Sequence, residues 1–342
     1  SNRKNINGYL AFLVVVLMIG LLGRILNISE IFGRNYRFIA ISEFSVLLFG
    51  ATIYLFTQSS LFKKSFNYRD LIHYIPAIIY STIIVFYIIL PSNEVYRSKV
   101  RSGELLIFVY LLSGIGLIIN ITYWFLSFRL FIRYKQSLQN ELSYAVKTQF
   151  FRNFLIAVGL CLAYWVSMYV ASLINQDFIN YITRQVIWLS IAMGILFIAY
   201  YGLKAPELFK VSSIVTKKKY ANSKLTRADL DRLKSELDKL MEQKKPYLNS
   251  SLMKSELAEM LGVSNPEIAR LLNENIGMNF FEYVNYYRIK EFIELAKTDK
   301  AKSLTFFGLA QEAGFNSKTT FNKSFKKLMG TSPKEYLAGA AV

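Results

Sequence analysis

Along the first 203 residues, polar positions come in short clusters and the stretches between them are apolar on every face. Six stretches, near 8–28, 38–57, 71–90, 105–126, 153–174 and 184–203, reach the roughly 20 residues that a helix needs to cross a bilayer. An even apolar surface argues against a helix lying flat on a membrane. The first stretch, GYLAFLVVVLMIGLLGRIL, is too long for a signal-peptide core and has no convincing cleavage site.

Beyond residue 203 the pattern becomes one-sided. Thr226-x-x-Asp229 opens a helix. Leu230, Leu233, Leu237 and Leu240 follow at spacings of 3, 4 and 3, and Pro246 closes the segment. This spacing is an a/d seam of about two heptads. Two readings stay open: a dimerising joint, or a helix packed on its own domain.

An internal repeat follows. LAEMLGVS at 257–264 matches LAQEAGFN at 309–316, and GMNFFEY at 277–283 matches GTSPKEY at 330–336. The copies are offset by 52 and then 53 residues. Each reads as helix, glycine turn, helix. In the first copy Ser264 and Glu267 form a capping box, and Ile268, Leu271 and Leu272 face inward. Asn265, Ala269, Arg270 and Asn273 face outward. In the second copy Asn316 or Ser317 caps a helix with the stripe Phe321, Phe325 and Leu328. Its opposite face carries Lys318, Thr319, Asn322, Lys323 and Lys326. Cations for phosphates and amides for base edges suit the major groove of double-stranded DNA.

Charge sharpens this division. The chain has 342 residues and a formal net charge of +18. Residues 1–203 hold 17 Lys+Arg against 7 Asp+Glu, and 204–342 hold 24 against 16, so the smaller part carries +8. In the first part and just beyond it the cations favour alternate loops; the other side has Arg34, Arg37, Arg97, Lys99, Arg101 and Arg184, partly offset by Glu30, Glu94, Glu104 and Asp177. Arg3, Lys4, Lys63, Lys64, Arg69, Arg129, Arg133, Lys135, Lys147, Arg152, Lys204 and Lys210 fall on one side of an alternating six-helix topology. The positive-inside bias makes that side cytoplasmic. The expectation is a multi-pass protein of the bacterial inner membrane with its C-terminal domain in the cytoplasm. The chain starts Ser-Asn; a further span upstream would make seven and leave the orientation unchanged.

Residues 247–338 resemble the DNA-binding domain of the AraC family of bacterial transcription regulators. The resemblance is carried by the first repeat copy and by Gly314, Phe315, Ser317, Phe321, Phe325, Lys326, Lys327, Gly330, Ser332, Pro333 and Tyr336. NYYRI at 285–289 resembles the helix that links the two units of that family. The resemblance implies two recognition helices entering successive major grooves. Phe306 and Phe307 depart from it, standing where a more polar turn is usual. The layout is similar to a membrane-tethered branch of the family.

The expected architecture is all-α. It has a transmembrane, signal-sensing bundle at 1–209, a linker and dimerisation helix at 210–246, and a tandem helix-turn-helix domain at 247–342. The partners expected are duplex DNA, the lipid bilayer, a second copy of the chain and a small or membrane-derived signal. Arg24, Glu43 and Arg184 are candidates for a signal pocket, because ionisable groups inside spans call for a partner or a role. Asn120 is read as glue between helices, His73 as a hydrogen-bonded interfacial residue, and Pro76 as a kink. Cys161 sits in an apolar run. One cysteine and one histidine, with no catalytic motif, point away from an enzyme, a metal site or a cofactor. The alternatives are a transporter or membrane enzyme carrying a DNA-binding domain, and a regulator anchored without sensing.

Overall fold

The apolar stretches form long helices. The computed structural model describes residues 2–28, 37–146, 148–174, 192 and 226–340, and among these the secondary structure is helical, with no strand. They divide into two compact units. One contains described residues up to 133 together with 148–174 and 192; the other contains 134–146 and 226–340.

The first unit begins with α1 (Asn2–Ile28) and α2 (Arg37–Phe62). A 3-10 turn at Tyr68–Tyr74 leads into α3 (Ile75–Ile84), which ends in a π turn at Val85–Ile89. Pro76 therefore opens an α-helix, where its missing N–H costs nothing, rather than kinking one in mid-span. The short α4 (Asn93–Arg101), the 38-residue α5 (Glu104–Glu141), whose residues from Tyr134 onward belong to the second unit, and α6 (Gln149–Ile174) follow. Five segments are long and apolar enough to cross a membrane: Gly8–Leu26, Ala40–Phe62, Tyr68–Ile89, Glu104–Glu141 and Gln149–Ile174. The sixth expected stretch, at 184–203, lies outside the described residues, as does the boundary near 209.

Leu13, Val16 and Leu17 of α1 pack with Ala40, Val46 and Leu47 of α2, Tyr80 and Ile84 of α3, and Leu112 of α5. Large apolar side chains, among them Met18, Phe86, Ile118 and Leu160, face outward instead. Asn120 pins α5 to α2, accepting from Gly50 N–H at 3.1 Å and donating to Val46 O at 3.1 Å. This is the glue that a buried amide in an apolar span provides. His73 Nδ1 lies 3.2 Å from Tyr123 Oη.

In the second unit, α7 (Arg227–Gln243) starts on the Thr226–Asp229 capping box read from the sequence. Next come α8 (Lys254–Met260) and α9 (Asn265–Arg270), which continues as a π turn at Leu271–Ile276. The linking helix α10 (Phe280–Ala296) joins this half to α11 (Lys300–Ser303), α12 (Phe306–Glu312), α13 (Lys318–Met329) and α14 (Pro333–Ala340).

The leucine stripe of α7 does not form a free seam. Leu230, Leu233, Leu237 and Leu240 are between 0% and 8% exposed, in one core with Leu257, Ile268, Leu271, Leu272, Phe280 and Val284. Asp238 of α7 also accepts hydrogen bonds from Tyr283 and Tyr287 of α10, at 3.2 and 3.1 Å. Of the two readings left open, packing on the helix's own domain is the one these contacts match. The side chains an a/d seam would offer to a partner are the ones this core already buries. From Thr226 to Gln243 the segment read as a linker packs into the core of the first helix-turn-helix half.

Candidate nucleic-acid interface

The repeat is a repeated set of backbone instructions. Leu257 and Leu309 are buried, and Ala258 and Ala310 are small enough for a second helix to cross closely. Gly262 and Gly314 have φ of 66° and 94°, a left-handed conformation that glycine adopts without strain. At Gly314 a Cβ would meet Tyr247 O at 2.3 Å, so that turn needs glycine twice over. The second block is equally mechanical. Gly277 and Gly330 end α9 with its π turn, and α13, in the left-handed conformation. Asn279 and Ser332 then cap the next helices, with Glu282 and Glu335 accepting from the N-cap N–H at 3.2 and 3.0 Å. Gly-x-x-x-x-Glu-Tyr thus encodes stop, cap and restart. The backbone N–H and hydroxyl of Ser332 hold the Glu335 carboxyl below its ordinary pKa. At Glu282, burial pushes the pKa up, but the bonds from Lys327 and the Asn279 N–H outweigh it and hold the carboxyl low.

Helix α13 is capped by Ser317, whose hydroxyl accepts from Thr320 N–H at 3.4 Å. Phe321 and Phe325 are 1% and 0% exposed, in a core with Phe292, Phe315, Leu309 and Ala310. Leu328, expected in the same stripe, is 40% exposed, because the helix ends one residue later and its last turn overhangs the core. Lys318, Thr319, Asn322, Lys323 and Lys326 are all exposed. They bring four chemistries of groove recognition to one helix: ammonium, hydroxyl, amide and methyl. Lys327 is drawn off this face into an ion pair with Glu282.

Helix α9 presents a different surface. Asn265 and Asn273 are exposed, but Asn273 Nδ2 donates back to Ala269 O at 2.8 Å. Arg270 is a quarter exposed, and its Nε is held by Glu274 at 2.8 Å. The sequence reading counted Arg270 and overlooked Glu274, four residues on and within reach on a helix. It also missed the side chain that braces both halves. Arg288 is 1% exposed, and its guanidinium carbon lies 5.8 Å from the Phe315 ring. Burial lowers its pKa to about 10, so it remains a cation. The signal was present. Val284, Asn285, Arg288, Ile289 and Phe292 form one helical stripe, with a charge in its middle.

In the first unit, Glu43 accepts a hydrogen bond from Tyr80 Oη at 3.3 Å. Arg24 is half-buried on α1. Arg184, the third member of the expected pocket, lies outside the described residues.

Residues 257–339 match a family model described as a helix-turn-helix domain. Over 91 residues the chain is 30% identical to an uncharacterized HTH-type transcriptional regulator of Staphylococcus aureus (strain COL), covering 26% of this chain and 12% of that protein. Over 100 residues it is 24% identical to the transcriptional regulatory protein HptR of S. aureus (strain NCTC 8325 / PS 47), covering 29% of this chain and 38% of that one. The chain thus spans much less than two thirds of either relative. No solved structure matches it. On geometry and likeness together, residues 257–339 are a helix-turn-helix domain.

Proposed function

We propose that the chain is a membrane-bound, sequence-specific DNA-binding transcription regulator of a bacterial cell, with its helix-turn-helix domain in the cytoplasm. The observation that carries this reading is the outward face of α13. It holds three exposed lysines, Lys318, Lys323 and Lys326, with Asn322 and Thr319 between them, on a helix fixed from behind by Phe321 and Phe325. Such a face neutralises phosphates and reads base edges from a rigid mount. The resemblance to the AraC family and the names of the relatives agree with it.

Membrane attachment is supported by the five long apolar helices and their outward-facing Met18, Phe86, Ile118 and Leu160. Signal sensing is the finer part of the reading, with Glu43 as its candidate centre and Arg24 and Arg184 as partners. A second copy of the chain is a further partner in this reading, placed away from the α7 leucines because the domain's own core buries them.

The test is to reconstitute the full chain in nanodiscs and select bound fragments from genomic DNA. A recurrent sequence among the selected fragments, lost when Asn322→Ala and Lys323→Ala are combined, is the expected result. Recovery of random fragments, or of none at low salt, would overturn the proposal. For the sensing part, Glu43→Gln should change the DNA response to cell extract without changing basal DNA binding. An unaltered response removes Glu43 from the reading.

A further inference from the structure

Two cations of the helix-turn-helix unit are buried and find partners far away in the chain. Lys254, the first residue of α8, is 4% exposed, and its Nζ bonds Glu141 Oε1 at 2.6 Å. Arg288 directs Nε to Tyr247 O at 2.8 Å and Nη2 to Asn249 O at 2.7 Å. Its Nη1 bonds Ser143 O at 2.8 Å, and Nη2 also bonds Ser143 Oγ at 3.0 Å. Ser143 in turn donates its N–H and hydroxyl to Leu252 O, at 3.2 and 2.7 Å. Beside it, Leu142 and Met253 form an antiparallel bridge.

The hydrogen-bond acceptors around Arg288 are neutral. A buried guanidinium is tolerated only while its N–H groups are matched, and a buried ammonium only while it is paired. Without residues 141–143, Lys254 would lose its carboxylate partner and Arg288 its two bonds to Ser143, keeping Tyr247 O, Asn249 O and Asn285 Oδ1. Arg288 also stands where the two halves meet. Tyr247 and Asn249 lead into α8, while a Cβ on Gly314, in the turn before α13, would lie 3.1 Å from its Nε. The residues on which it depends follow directly on α5, between the fourth and fifth long apolar segments in the chain.

We propose that residues 141–143 form a detachable strut of the DNA-binding unit: docked on Lys254 and Arg288, they fix the spacing of α9 and α13, and their withdrawal lowers affinity for DNA that engages both helices. The strut is covalently continuous with α5, so a change in that helix reaches the DNA-binding unit without passing through α7. Docked and withdrawn would be the two arrangements that coupling between distant sites requires. The effect on DNA rests on the function proposed above; the docking does not.

The experiment uses the full chain in nanodiscs on a Cys161→Ala background. Leu142→Cys with Met253→Cys should crosslink under mild oxidation, because bridged antiparallel residues lie within disulfide reach. The oxidised protein should bind a selected genomic duplex at least as tightly as the parent. Separately, Glu141→Lys and Lys254→Glu should each reduce affinity about tenfold, and the two together should restore it to within about twofold. In the cysteine pair, Glu141→Lys should also slow crosslinking. Absent crosslinking, or charge effects that simply add in the double variant, overturns the strut and leaves DNA binding standing. Tighter binding by the reduced form overturns it too, since docking would then inhibit. Crosslinking in a chain whose parent binds no DNA overturns the function proposed above, and with it the strut's effect.

Discussion

The two helix-turn-helix halves share one backbone plan and present opposite surfaces. From Asn265 to Ile276 the first carries one arginine against two glutamates; from Lys318 to Met329 the second carries four lysines and no acid. The first has its arginine tied to Glu274 and its Asn273 amide turned back on the helix, and it ends in a π turn. The second is a regular α-helix with its lysines exposed, apart from the pair Lys327 makes with Glu282. The glycines, caps and small alanines that shape the motif recur in both copies, whereas the outward residues diverge. Fold and reading surface are therefore separable. Phosphate attraction should come from α13, and α9 should contribute mainly shape and a few base contacts.

The largest effects that bear on this comparison are in the cores. Phe325→Ala should cost about 3–5 kcal/mol and open the second half, while Leu237→Ala should cost about 2–5 kcal/mol and open the first. Hydrogen exchange locates each opening. If Leu237→Ala leaves the exchange of α8 and α9 unchanged, the leucines of α7 are not their core. On the surface, Asn322→Ala should weaken a selected site by about 1–3 kcal/mol and relax its sequence preference. Lys326→Ala should weaken all sequences alike. Identical uniform losses from both would show that α13 holds DNA without reading it.

Acid should act through the caps. The folded pKa of Glu282 is lowered, so the stability it contributes is present above its unfolded value of about 4.3 and is lost as pH falls through the folded value. Glu282→Gln should flatten thermal stability against pH in the range below about 4.3; an unchanged profile would mean that neither the Lys327 pair nor the bond from the Asn279 N–H contributes. The smallest effect is expected at Glu274. Its exposed pair with Arg270 is worth about 0–1 kcal/mol, so Glu274→Gln should raise DNA affinity only slightly. A large rise would mean that α9 is a strong phosphate binder held in check.

Much of this was legible in the sequence because it is local. Glycine spacing, Thr226–Asp229, Ser264–Glu267 and the Phe321–Phe325 stripe act within a few residues, and periodicity exposes them. Five of the six apolar stretches appear as long segments for the same reason. What was not legible depends on distance. A leucine stripe looks alike whether it meets a second copy or its own domain, and only the fold placed Leu233 and Leu237 against Leu257 and Ile268. Nothing near Arg288 in the chain announces Ser143, 145 residues away. Glu274 was the exception: a local pair that was overlooked.

The central claim, that the lysine face of α13 is the DNA contact, is tested most directly by a salt titration. Affinity of the full chain in nanodiscs for duplex DNA is measured across a range of salt, beside a variant with Lys318, Lys323 and Lys326 all changed to Ala. Each phosphate contact contributes about 0.9 to the slope of log affinity against log salt, so the variant's slope should be shallower by about 2–3. Equal slopes and equal affinities in the two proteins would contradict the account.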